Sequence, residues 1–225
     1  MAIAVVSSTK ITPASGGGTT PAIDTTGASL LVMGVTFYKL GTIGSVTDSK
    51  GNTWTPLTRR DSTEVAARLY YAQGPTVGSG HTFTFSGTSL FATAFVLALS
   101  GTALSSVLDA ESGATAGNGV IQPGSITPAN NGSVFVSVHG VNGPFGYPHT
   151  IDSGFTVSNQ NTYAGGVNEG GSLAHLIQGT AAAVNPTWST GSNPAAAMAV
   201  FVPAAVAAKG LPIIAHYHHA VYGGG

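Results

Sequence analysis

The sharpest chemical signal in the sequence is His216-Tyr217-His218-His219, near the end of the chain. In an extended strand His216 and His218 face the same way, so their imidazoles could share a metal ion. No Cys, Asp or Glu stands nearby to complete a ligand set, which favours an interface or packing role. Asp48, Asn52, Asp109, Glu111 and Asp152 offer oxygen ligands of the kind Ca²⁺ takes. They form no Asp-x-Asp-x-Asp loop, and turn capping is the commoner work of Asp and Asn. Asp109 and Glu111 could in principle serve as paired carboxylates for glycoside hydrolysis, but the segment reads as a loop without aromatic neighbours. No Gly-x-Ser-x-Gly elbow supports a serine nucleophile, and Gly16-Gly17-Gly18 lacks the Lys-Ser/Thr of a phosphate loop. Trp54, Tyr70, Tyr71 and Tyr163 could stack on sugars if exposed, with a core or sheet-face role as the default. The residues therefore predict no catalytic group, no cofactor and no metal.

Composition narrows the field further. Hydrophobic residues make up 43% of the 225, enough for a substantial core, while charged residues make up 7%. An average soluble domain carries roughly 25% charged residues. Lysine and arginine stop at Arg68 and return only at Lys209, so no basic stripe exists to meet phosphates, and nucleic acid is not expected as a partner. Arg59-Arg60 reads as a solvated strand end. A net charge of −1 offers little repulsion between copies, as suits a subunit of an array. The absence of cysteine excludes disulfides and thiolate sites. Met1 to Ser7 lacks the basic and apolar regions of a signal peptide, and no stretch approaches the ~18 apolar residues of a membrane span.

The elements that must position any site read as strands. Ser45 to Leu57 reads as a hairpin turning at Lys50-Gly51-Asn52, where Gly and Asn accept positive φ. Ile3 to Ile11 predicts a first strand. Ser29 to Tyr38 is apolar on both faces and predicts a central one. Val65 to Ala72 follows. His81 to Ser86 alternates strictly, with Phe83 and Phe85 inward. Leu90 to Leu99 predicts a buried strand. After a Gly/Ser-rich connection holding a short strand at Val120 to Ile126, further strands are expected at Ser133 to Val141, Ile151 to Ser158, Ser172 to Gln178, Ala183 to Ser189 and Ala196 to Val202.

The second series echoes the first. Leu30 to Val35 matches Ser133 to Val138, Val46 to Ser49 matches Thr150 to Ser153, and Ala67 to Gly74 matches Gly171 to Gly179. His81 to Gly87 is matched to Asn185 to Gly191, and Leu90 to Leu99 to Ala195 to Pro203. An all-β antiparallel sandwich, jelly-roll-like, is therefore expected over 1–203, with quasi-repeated halves at about 28–101 and 131–203. Two separate immunoglobulin-like domains are the alternative. Residues 204–225 lie outside the repeat as an apolar arm.

Leu-Leu-Val, Ser-Val-Thr-Asp-Ser-Lys-Gly-Asn-Thr-Trp, Leu-Tyr-Tyr-Ala and Gly-Ser-Gly-His-Thr-Phe-Thr occur in that order from Ser29 to Gly101. This series resembles β-sandwich domains of phage virion and tail-associated proteins and of some bacterial surface proteins. The resemblance implies a structural or adhesive role and carries no catalytic motif.

These readings converge on a non-enzymatic structural subunit of a phage-like particle: a decoration, fibre or capsid-associated protein. It would be made in the host cytoplasm and assemble as a homo-oligomer or with other virion proteins. The alternative is a glycan-binding module or adhesin meeting host-surface glycans. The expected assembly contacts are Leu211, Ile213, Ile214, His216, Tyr217, His218 and Tyr222, since an apolar arm left in water would be an exposed patch.

Overall fold

The computed structural model describes residues 2–11, 16–88, 91–143, 146–166 and 169–205. These residues contain strands and no helix, so none that could cross a membrane. The first half holds β1 (Ala4–Lys10), β2 (Gly17–Thr19), β3 (Leu30–Tyr38), β4 (Thr42–Asp48), β5 (Thr55–Pro56), β6 (Arg60–Asp61), β7 (Val65–Gln73), β8 (Phe83–Thr88) and β9 (Thr93–Ser100). The second holds β10 (Leu108–Thr115), β11 (Asn118–Ile121), β12 (Val134–Val141), β13 (Thr156–Asn161), β14 (Gly170–Ile177), β15 (Trp188–Ser192) and β16 (Ala195–Phe201).

In the first half a large sheet runs β1-β9-β3-β7-β5, with β6 also on β7, and a small sheet runs β2-β8-β4. The second half repeats this order as β10-β16-β12-β14-β13 and β11-β15, the small sheet being extended by a bridge from Ile151 to Trp188. The antiparallel pairs are nested: β1 with β9, β2 with β8, β3 with β7, then β10 with β16, β11 with β15, β12 with β14. Nested pairing is a long hairpin rolled across two sheets, the jelly-roll path. Register repeats too. Leu30 faces Gln73 as Val134 faces Ile177, and the bulge at Val5/Ser7 recurs at Leu108/Ala110.

The two large sheets pack on each other. Leu30, Val32, Leu69, Phe95, Leu97 and Leu99 meet Val134, Val136, Val138, Leu173 and Phe201 in one core. Because strand side chains alternate, the opposite face of each large sheet is free to take its own small sheet. Met33, Val35 and Phe37 pack with Phe83 and Phe85; Phe135, Met198 and Val200 pack with Ile126 and Val184. Four layers result, and strands covered on both faces, such as β3, are apolar almost throughout, Thr36 excepted. The central sheets approach closely at glycines: a Cβ on Gly34 would lie 2.8 Å from Leu173 Cδ1. Polar bonds close the sandwich's rims. Lys10 Nζ donates to the Gln160 carbonyl at 2.7 Å, and Thr58 donates its amide and hydroxyl to Glu111 at 3.0 and 2.7 Å.

Several expectations are corrected. Ser45 to Leu57 is not a hairpin. The turn is real, with Gly51 at φ 75°, but it carries the chain from β4 in the small sheet to β5 on the edge of the large one. Asp109 and Glu111 lie in β10, not in a loop. Val184, not Asn185, takes His81's place, since Ile23 bridges His81 as Ile126 bridges Val184. A slip of one residue exchanges the faces of a strand, and Trp188 therefore occupies the inward position of Phe85. Ile151 makes a lone bridge, and β13 begins only at Thr156, after a turn through Ser153 and Gly154.

Candidate functional site

The β4 turn builds a buried polar cluster. Asp48 Oδ1 accepts from the Lys50 amide at 2.8 Å and from Asn52 Nδ2 at 3.1 Å, while Oδ2 accepts from Trp54 Nε1 at 2.7 Å. His81 Nε2 donates to Asp48 Oδ1 at 3.0 Å, and its Nδ1 lies 2.9 Å from Thr25 Oγ1. Burial raises the Asp48 pKa, but the bonds from His81, Trp54, Lys50 and Asn52 outweigh it and hold the carboxyl below its ordinary value. Hydroxyl, imidazole and carboxylate stand in the order of a nucleophilic triad. Yet Thr25, His81 and the Asp48 side chain are fully shielded from solvent, which seals the hydroxyl from substrate. The cluster ties the β4 turn to β8 and caps its amides.

The other acids also serve the backbone. Asp109 accepts from the Ala129 amide at 2.7 Å, Glu111 holds Thr58, and Asp152 accepts from the Thr187 amide at 2.7 Å. Asp109 and Glu111 thus join different segments rather than converge on one cavity. Among the described residues no group of three or more metal-ligating side chains occurs. Arg59 pairs with Asp61 at 2.5 Å and stacks 4.7 Å above Phe37.

The aromatic candidates do not share one platform. Trp54 and Tyr70 line a shallow pocket with Ile43, Val46, Pro56 and Arg68. Tyr71 packs on Phe201 at 5.6 Å, in the core between the halves. Tyr163 lies at the seam, in a pocket of about 190 Å³ with Tyr38, Phe91, Asn142 and Glu169. Burial, and then the Glu64 charge, push the Glu169 pKa up to about 8, so the acid is neutral at pH 7.

A second buried polar cluster lies in the other half. His139 stacks on Trp188 at 5.0 Å and meets His149 edge-on at 5.1 Å. Trp188 Nε1 donates to Ser137 Oγ at 2.9 Å, and His149 Nδ1 lies 2.6 Å from Ser172 Oγ. Sequence reading singled out neither this cluster nor His81, although His81 shares the inward alternation of Phe83 and Phe85.

Both ends of the described chain meet at one surface. Ala2 and Ile3, Pro203 and Ala204, with Asn131, Gly132, Ile177 and Gly179, line a mostly apolar groove of about 410 Å³. Ile177 is 39% exposed there. Leu211, Ile213, Ile214, His216, Tyr217, His218 and Tyr222 lie outside the described residues. Compared with known families and curated proteins, the chain matches no family model and no curated protein.

Proposed function

We propose that the chain is a non-enzymatic structural subunit of a phage-like particle, a decoration, fibre or capsid-associated protein that assembles through its termini. The observation that supports this reading is the apolar groove where residues 2–3 and 203–204 come together. In the sequence Ala204 is followed by an apolar segment holding Leu211, Ile213, Ile214, Tyr217 and Tyr222. A groove of this character on one copy suits the apolar arm of a second copy, with His216 and His218 at the contact. Net charge of −1 leaves little electrostatic penalty for bringing copies together. The buried triad-like cluster and the backbone duties of Asp109, Glu111 and Asp152 support a structural rather than a chemical role. The partners would be copies of the chain and other virion proteins, and the place of action the virion. Sedimentation of the purified full-length chain together with a glycan array tests this. An assembling, glycan-silent chain agrees with the proposal; a stable monomer that binds glycans replaces it with the adhesin reading.

A further inference from the structure

The duplicated fold supplies an internal control for its second polar cluster. By register, His139 stands where the first half has Val35, Ser137 where it has Met33, and Trp188 where it has Phe85. An apolar first-half layer has thus become polar in the second half alone. His139 is fully buried, and neither of its ring nitrogens has a hydrogen-bond partner among the described residues. His149 is 2% exposed.

We propose that the outer layer β11–β15 is an acid-opened lid: closed over neutral His139 and His149, released when they take up protons. The groups facing the pair are Ser137 on β12, Ser172 and the Gly171 backbone on β14, Ala196 on β16, Trp188 and Gly191 on β15, and Tyr147 beside His149. Gln160 on β13 accepts from the His149 amide at 2.8 Å. None of these carries a charge, and Asp152 is engaged with Thr187 and Ser153 at the turn. A proton on either ring would therefore be a buried charge without a counter-charge, which protein interiors do not tolerate. Burial holds both imidazoles below their ordinary pKa, His149 at about 4, and His149 adds to the effect on His139.

Among the described residues no strand ladder joins β15 to β12 beneath it. β15 pairs with β11 at three positions, with a bulge between, and is otherwise held by the Ile151–Trp188 bridge, the Ser189 amide on the Thr150 carbonyl at 2.8 Å, the Asn142 amide on the Ser192 carbonyl at 2.9 Å and the Trp188–Ser137 bond. β12, by contrast, is paired with β14 along its whole length and with β16 from Val134 to Gly140. Lifting β15 carries Trp188 off the His139 ring and hydrates both imidazoles. With an ordinary histidine pKa of about 6.5 in the open form, opening gains about 30-fold per imidazole at about pH 5, or about a thousand-fold for the pair.

The test uses the full chain labelled with fluorotryptophan. Fluorine NMR from about pH 8 to about pH 4.5 follows Trp54 and Trp188 separately, assigned with Trp54→Phe. The Trp188 signal is expected to become solvent-exposed with uptake of nearly two protons while the signal of the half-buried Trp54 stays unchanged. His139→Val, the residue of the first half, is expected to reduce the uptake to one proton and lower the midpoint. If that variant does not fold, His149→Gln gives the same readout. The proposal is overturned if both tryptophans change together, if Trp188 stays buried throughout, or if the variant keeps the parent's pH profile.

Discussion

A methyl group placed on Gly140 would stand 2.8 Å from both Thr36 Cβ and Val65 Cγ1, across the contact between the halves. Carbon atoms prefer about 3.5–4.0 Å, so β12 would have to move away from β3 and β7 by several tenths of an ångström. Alanine in a strand interior ordinarily gains about 0.5–1 kcal/mol over glycine. Overpacking a close-packed core costs about 1–3 kcal/mol. The second effect wins here because the atoms it meets are a Cβ and a β-branched methyl, with no flexible end to yield. Gly140→Ala is therefore expected to lose about 1–2 kcal/mol net, read as a lower urea midpoint at unchanged slope. Gly117→Ala, with nothing within 4 Å of the new Cβ, is the control and should stay within about 0.5 kcal/mol of the parent. A Gly140→Ala chain as stable as the parent or more so would refute the close approach of the two large sheets.

Other consequences follow from the same structure. Phe95→Ala should cost about 3–5 kcal/mol in chemical denaturation, because Phe95 is fully buried in the core shared by both halves; a loss below about 1 kcal/mol would place it elsewhere. Asp48→Ala should cost about 3 kcal/mol or more, since it strands buried donors on Trp54, His81 and the turn; loss of the Trp54 fluorescence environment on mild heating would accompany it. His149, lowered to about 4 by burial, stabilises the fold fully above its unfolded pKa of 6.5 and progressively less as pH falls towards 4. That difference corresponds to about 3 kcal/mol, so His149→Gln should flatten the acid limb of a stability profile. An unchanged acid limb would contradict the burial of a neutral ring.

What the sequence revealed and what it hid have physical causes. β3 and β9 were legible because strands covered on both faces are apolar at almost every position, Thr36, Thr93 and Ser100 excepted. The duplication was legible because the same nested pairs demand similar apolar spacing in both halves. The partner of β5 was not: Thr55–Pro56 is two residues long, and a turn that reads as a hairpin can equally well deliver the chain to another sheet. β10 was hidden because an edge strand of Leu-Asp-Ala-Glu-Ser-Gly-Ala-Thr, half-buried up to the exposed Thr115, shows no clean alternation. The polar clusters were hidden for a different reason. His81, His139 and His149 each meet partners distant in sequence, such as Asp48 and Trp188, which only the rolled path brings within reach. The inward phase of His81 could be read beforehand; the company of all three could not.

The proposed role stands most directly on the size of the chain in solution with and without residues 210–225. In sedimentation velocity the intact chain is expected to run well above its 22.3 kDa monomer mass, and the shortened chain as a folded monomer with the same β-type circular dichroism. Assembly that survives the deletion would contradict a connecting role for the arm, and a shortened chain that no longer folds would assign the arm to its own core.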